Sequence, residues 1–180
     1  MVFLEDLRHY QRFCYPGQNL AFVLFRSLIA HPAILALMWF RFGNWCKRLP
    51  VPLIKHFLLS LHWIGFIFVR AITGVQLLPG TRIGPGLVLL HYGTTIINPR
   101  SVVGKNCVFF NNVLLAADSD MSSPNIGDDV MIGANVTIFG KVIVGSGVKI
   151  GAGAVVVHSI PDDSTAVGVP ARVVRSRHGV

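Results

Sequence analysis

Ile126, Ile132, Ile138, Val144, Ile150 and Val156 follow one another at intervals of six residues without a slip. Val130, Val136, Val142, Val148 and Ala154 stand four residues after the first five of these. A period of six matches neither the 3.6-residue repeat of a helix nor the alternation of a strand. It matches a coil with three flat sides, each side a short strand that directs one aliphatic side chain inward. The same period appears earlier, at Leu77, Ile83 and Leu89 and then at Ile97, Val103 and Phe109. The two earlier runs are out of phase by two residues, and the slip falls on His91-Tyr92-Gly93. A local distortion of the prism is therefore expected at a histidine.

The pattern predicts a mainly β fold, a left-handed parallel β-helix of hexapeptide repeats, preceded by an α-helical amino-terminal region. Such coils bury a core only by stacking, so three or more are needed. At roughly 18 residues per coil the repeats supply about four. Glycine follows the inward aliphatic at Gly84, Gly104, Gly127, Gly133, Gly145 and Gly151, which suits corners where φ is positive or backbones crowd. Two regions result: a basic, hydrophobic helical region over 1–75, and the β-helix with its carboxyl-terminal tail over 76–180, its coils spanning roughly Leu77–Ile160. In the first region a short helix is expected over Glu5–Tyr15 and one or two over Asn19–Phe42, interrupted at His31-Pro32. Pro50-Val51-Pro52 breaks the chain again, and Pro52 opens a helix that runs to about Thr73. The polar segment Ala116–Asn125 lies outside the repeat, and a loop leaving a rigid scaffold is a natural place for substrate contacts.

Charge is unevenly placed. Residues 1–75 carry eight Lys/Arg against two acids, residues 76–180 eight against six, and no acid occurs between Leu7 and Val75. No nucleic-acid-binding motif accompanies this basic region, so no nucleic-acid partner is expected. Its basic residues are interleaved with Phe, Trp, Leu and Ile, which suits peripheral contact with an anionic membrane. Within residues 1–75 the longest stretches free of charge, Ser27–Phe40 and His56–Val69, are shorter than the roughly 20 residues that span a bilayer. On a helix Leu53, Phe57, Leu61, Ile64 and Phe68 share one apolar face, and the opposite stripe of Lys55, Leu59, His62, Phe66 and Arg70 is still half apolar. Such a helix is buried between subunits or lies in lipid, and composition leaves both open. Cys14, Cys46 and Cys107 show no metal spacing and suit a reducing compartment. The first residues lack the features of a signal peptide. The expected location is cytoplasmic, at the inner face of the membrane.

The tail Gly168-Val169-Pro170-Ala171-Arg172-Val173-Val174, with IGAGAVVVHSIP before it, resembles the carboxyl terminus of hexapeptide-repeat acyltransferases. The resemblance covers about Leu77–Val174. It implies acetyl-CoA as co-substrate, no metal, and a homotrimer with its active site between adjacent prisms. Within that family, LLPGTRIGPGLVLLHYGTTIINPRSVVGKNCVFFNNVLL is similar to the serine acetyltransferase branch and puts His91 at the catalytic general base. The chemistry asks for such a group, because an alcohol is too weak an acid to attack a thioester unaided at neutral pH. A histidine can take the proton as attack proceeds and return it to the thiolate.

Departures from that branch are specific. Leu90 and Gln76 stand where it has aspartates, Ser122 and Ser123 where it has Arg-His, and His31 where an aspartate before Pro-Ala holds serine. Together with the opening Leu4-Glu5-Asp6-Leu7-Arg8, these departures look like exopolysaccharide O-acetyltransferases of the colanic-acid type. That resemblance implies acetyl transfer to a sugar hydroxyl in bacterial exopolysaccharide or capsule biosynthesis, and leaves open whether the sugar or polysaccharide acceptor is a monomer, a lipid-linked repeat or finished polymer. Serine O-acetylation is the alternative, and a catalytically degenerate scaffold is another. Ala134 and Ala152 occupy small-residue positions beside the pantetheine arm, and the Ala134 N–H is a candidate donor to the thioester oxygen. Arg172 and Arg175 match positions that meet the nucleotide end of CoA, with Lys149 and His158 as further candidates. Tyr92, Asn111, Asn112, Asp118 and Asp120 are candidates for the acceptor, and either aspartate could also partner His91. A zinc site of three histidines is excluded, since only His91 and His158 lie within the β-helix.

Overall fold

The structure, a computed structural model, describes residues 2–176. Four helices come first: α1 (Val2–Cys14), α2 (Leu20–Ala30), α3 (Ala33–Lys47) and α4 (Pro52–Thr73). Asn19 caps α2, its side-chain oxygen accepting the Phe22 N–H at 2.8 Å, which satisfies one of the free donors of the first turn. At His31-Pro32 the chain turns by 114° from α2 into α3. Gly74, at φ 72°, ends α4 in the left-handed conformation that glycine adopts without penalty.

Four complete coils follow. The first holds β1 (Val75–Gln76), β2 (Arg82–Ile83) and β3 (Val88–Leu89); the second β4 (Thr95–Ile97), β5 (Val102–Val103) and β6 (Val108–Phe109). The third holds β7 (Leu114–Ala116), β8 (Asn125–Ile126) and β9 (Met131–Ile132); the fourth β10 (Thr137–Phe139), β11 (Ile143–Val144) and β12 (Lys149–Ile150). A partial fifth begins with β13 (Val155–Val156) and closes with β14 (Ser164–Gly168), against which β15 (Ala171–Ser176) folds back antiparallel. The strands stack as three parallel sheets: β1-β4-β7-β10-β13, β2-β5-β8-β11, and β3-β6-β9-β12-β14, with β15 on the end of the last. Every inward position named by the period of six is buried, from Leu77 through Phe109 to Val156. The tail is thus not a loose end but a hairpin that extends the third sheet.

The corner glycines serve crowding rather than positive φ. A Cβ on Gly127 would lie 2.7 Å from the Ser146 nitrogen of the next coil. The left-handed residue comes two positions later, at Gly86, Asn106, Asp129 and Gly147, where Asn, Asp and Gly are the types that tolerate it.

A buried polar clamp joins the helices to the first coil. Asp6 on α1 is fully buried and accepts from Arg41 Nε at 2.8 Å and Nη2 at 3.0 Å. Its Oδ1 also accepts the N–H groups of Gly86 and Leu87. Arg41 in turn donates to the carbonyls of Ile83 and Gly84. One turn on, the Tyr10 hydroxyl donates to the Leu89 carbonyl and accepts the Leu89 N–H, at 2.6 and 2.7 Å. Behind them α4 packs on α3 through Gly43 and Gly65, which give room to His62 and Trp39 respectively. Each of these two side chains bonds the other's main-chain carbonyl at 3.1 Å.

The orientation of α4 inverts ordinary amphipathic packing. Its buried residues are His62, Val69 and Thr73, on the more polar stripe. The uniformly apolar stripe points away from the protein, with Phe57 69% and Phe68 64% exposed. At 22 residues and a mean hydropathy of 1.5, α4 is also long and apolar enough to cross a membrane by length and composition.

Candidate active site

The edge where the third sheet turns into the first repeats once per coil. There Phe110-Asn111-Asn112, Gly133-Ala134-Asn135 and Gly151-Ala152-Gly153 lie one above another, and their third members are left-handed, at φ 58°, 60° and 73°. Asn112 and Asn135 form a ladder along it: Asn112 Nδ2 donates to Asn135 Oδ1 at 2.9 Å, and Asn112 Oδ1 accepts the Thr94 N–H. Both ends of the Asn112 amide are therefore occupied within the prism. In the first coil the same corner holds Leu90-His91-Tyr92-Gly93-Thr94, two residues more. The surplus bulges outward, with His91 at φ 63° and exposed together with Tyr92. A non-glycine residue in this region is costly, and such strain gathers at functional sites.

What holds the bulge is His31, at the break between α2 and α3. The His91 N–H donates to His31 Nδ1 at 3.2 Å, and the two rings meet edge to face with centroids 5.6 Å apart. Accepting at Nδ1 leaves the neutral His31 ring with its proton on Nε2. Burial lowers the His31 pKa, and the nearby His91 lowers it further. Tyr10 and Tyr15 flank the His31 ring, and Phe110 flanks His91. The surroundings of His91 are thus aromatic and neutral. Among the described residues no carboxylate forms an ion pair with His91. Gln76, on β1, makes no hydrogen bond to it either. His31 was legible in the sequence only as a replaced aspartate; the helix break at His31-Pro32 was the further signal that a turn would present it.

One edge of the prism therefore gathers His91, Tyr92, Asn111, Asn112, Ala134 and Ala152. The N–H groups of Ala134 and Ala152 donate to no other described residue and are available to a ligand. Asp118 and Asp120 lie elsewhere, in the loop that leaves the far end of β7, so one chain does not bring them to His91. Asp118 Oδ1 is spent on that loop, accepting the N–H groups of Asp120 and Ser122 at 3.0 and 2.8 Å. Arg172 and Arg175 are exposed on β15, opposite Val167 and Thr165 of β14. Lys149, on β12, and His158, just after β13, are exposed as well. Two clefts beside α1, one lined by His9, Arg12, Phe13, Asn106 and Asp129 and the other by Glu5, Arg8, Gln11, Arg12, Leu20 and Asn106, do not include His91. In the single chain the edge bearing His91 is open to solvent.

Comparison with known proteins agrees with this geometry. Residues 123–158 match the family described as bacterial transferase hexapeptide (six repeats). A serine acetyltransferase of Synechococcus elongatus is 32% identical over 150 residues, 82% of this chain and 59% of the relative. One from Helicobacter pylori is 31% identical over 158 residues, 82% of this chain and 84% of the relative. Among solved structures, Brucella abortus serine acetyltransferase in complex with coenzyme A superimposes with a TM-score of 0.77 at 26% identity, over 97% of this chain and 67% of that one. The chain spans about three fifths of the length of the Synechococcus relative. These relatives do not support the expected assignment to the colanic-acid-type branch. The opening Leu4–Arg8 that suggested it has a structural use here, since its Asp6 anchors α1 to the first coil.

Proposed function

Since the chain belongs to the serine acetyltransferase family of hexapeptide-repeat transferases, we propose that it transfers acetyl from acetyl-CoA to a hydroxyl oxygen, with His91 as general base and L-serine as the acceptor its relatives name. The observation that carries the reading is His91 itself, bulged from the prism edge that also holds Ala134 and Ala152. In the reaction the imidazole takes the hydroxyl proton while the oxygen attacks the thioester carbonyl. The oxyanion so formed is met by a backbone N–H, for which Ala134 is the candidate. Collapse of the intermediate breaks the carbon–sulfur bond, and the imidazolium returns its proton to the CoA thiolate, giving the acetyl ester and free CoA. Arg172 and Arg175 serve the phosphates of CoA, and a second copy of the chain in a trimer covers the exposed edge.

A second reading of the acceptor rests on His31. A carboxylate would hold the ammonium group of serine through a charge-assisted bond, whereas the described residues around His91 are neutral and aromatic. That surface suits a neutral polyhydroxy acceptor such as a sugar. The experiment is thiol release from acetyl-CoA by the wild type and the His91→Ala variant, with L-serine or with neutral sugars as acceptor. Release that requires both serine and His91 supports the first reading. Release with sugars but not with serine selects the second. Failure to bind acetyl-CoA at all would overturn both.

A further inference from the structure

The outward stripe of α4 has no partner within the chain. Leu53, Phe57, Leu61, Ile64 and Phe68 are all exposed, Leu53 to 82% and Ile64 to 57%, and Ile67 and Ile72 flank them. They run along a helix about 33 Å long. Isolated surface aliphatics are ordinary, but a contiguous stripe of this size marks an interaction surface. The helix carries Lys55 and His56 near its start and Arg70 in its last turn, and no acid. Those cations project from the flanks and protein side of the helix rather than from the apolar stripe. Nearby in sequence, α2 exposes Phe25 and Ile29 around Arg26 in the same acid-free region.

We propose that α4 is an in-plane anchor for an anionic lipid bilayer. The apolar stripe sits at the boundary between headgroups and acyl chains, and Lys55 and Arg70 reach the lipid phosphates. Two observations select lipid over other occupants. A second copy would bring another strongly basic, acid-poor region against this one, whereas anionic headgroups neutralise it. A spanning helix would have to leave the body of the protein, but α4 packs along α3 at Gly43 and Gly65, and α3 is itself tied to the first coil through Arg41. An in-plane helix asks for this division, with apolar residues below and cations at the headgroup level.

The test is flotation of the full chain with phosphatidylcholine vesicles, either pure or with about 30% phosphatidylglycerol. The wild type is expected to float with the anionic vesicles at low salt, with a blue shift of its tryptophan fluorescence, and to be released as salt rises. Lys55→Gln and Arg70→Gln should each weaken partition about fivefold. Phe57→Gln/Ile64→Gln/Phe68→Gln should weaken it by at least about a hundredfold. These three side chains are exposed, so circular dichroism and melting temperature should remain near wild type, which separates lost binding from lost folding. Three results would overturn the proposal: a wild type that stays at the bottom with anionic vesicles, a triple variant that floats as well as the wild type, or one whose only change is a smaller assembly in sedimentation velocity. The last would assign the stripe to a second copy.

Discussion

Replacing Asp6 with asparagine should damage this protein more than any other near-isosteric change at the junction of helices and prism. The carboxylate has no solvent exposure and accepts four hydrogen bonds, two from Arg41 and one each from Gly86 and Leu87. An asparagine oxygen in the Oδ1 position can keep both backbone donors. Its amide nitrogen then faces Arg41 Nε–H, donor against donor, and the guanidinium, whose side chain is only 10% exposed, loses its counter-charge. Breaking one side of a buried ion pair costs about 3–5 kcal/mol, since the remaining charge stays desolvated. For a chain of this size that corresponds to a fall in melting temperature of roughly 6–20 °C. Urea unfolding at fixed protein concentration and neutral pH measures the loss directly. A double cycle with Arg41→Met isolates the pair, and a coupling of at least about 2 kcal/mol is expected. Unfolding of Asp6→Asn within about 0.5 kcal/mol of wild type would refute the reasoning, because a change that small is typical of surface positions.

Stability should rise between mildly acidic and neutral pH. Burial lowers the pKa of His62, with Lys47 adding to the effect and the bond to Trp39 opposing it, and His31 is lowered as well. The unfolded chain therefore binds more protons than the native one below about pH 6.5, so stability is full above that value and is lost as pH falls towards the lowered native pKa. The cause at His62 is visible: Nε2 donates to Trp39, and a proton on buried Nδ1 would find no acceptor. Melting temperatures at pH 7.5 and 5.5 test this, and His62→Phe should flatten the difference. At the corners, Gly127→Ala should cost about 1–3 kcal/mol in urea unfolding through its clash with the next coil. Gly153→Ala, left-handed at φ 73° but with open space around it, should cost about 1 kcal/mol. His31→Ala should lower kcat about fivefold through the lost bond to His91, leaving the KM for acetyl-CoA unchanged, and His31→Gln should recover part of it.

The period of six made the prism legible because inward positions of stacked coils are defined locally, each by its own two neighbours along the strand. The slip at His91-Tyr92-Gly93 was legible for the same reason, and the structure turns it into the bulge that exposes the imidazole. Helix ends at Asn19, His31-Pro32, Pro52 and Gly74 follow from capping and proline chemistry alone. The outward direction of α4 could not be read this way. Its stripes are apolar on both sides, and burial was decided by which one met Gly43 and Trp39 on α3. Asp118 shows the opposite limit: a carboxylate in a polar loop looks available in sequence, yet its oxygen closes the loop on Asp120 and Ser122. The pairing of Asp6 with Arg41 and Gly86 joins residues too far apart for any periodic signal to reveal.

The helical region is better understood as part of the site than as an appendage. Tyr10 grips both polar groups of Leu89, two residues before His91, and Asp6 holds the corner preceding β3. The same bundle presents His31 to the His91 main chain. A left-handed histidine on a two-residue bulge has little of its own to define its direction, since the sheet bonds that order the rest of the coil are interrupted there. Its position is therefore set from outside the prism, by groups on α1 and at the α2–α3 turn. It follows that substitutions at Asp6, Tyr10 and His31 should act on turnover through one geometric variable, the placement of His91. Their effects on kcat in combination should fall short of the product of the single effects, whereas changes at Arg172, on the far hairpin, should multiply independently with each.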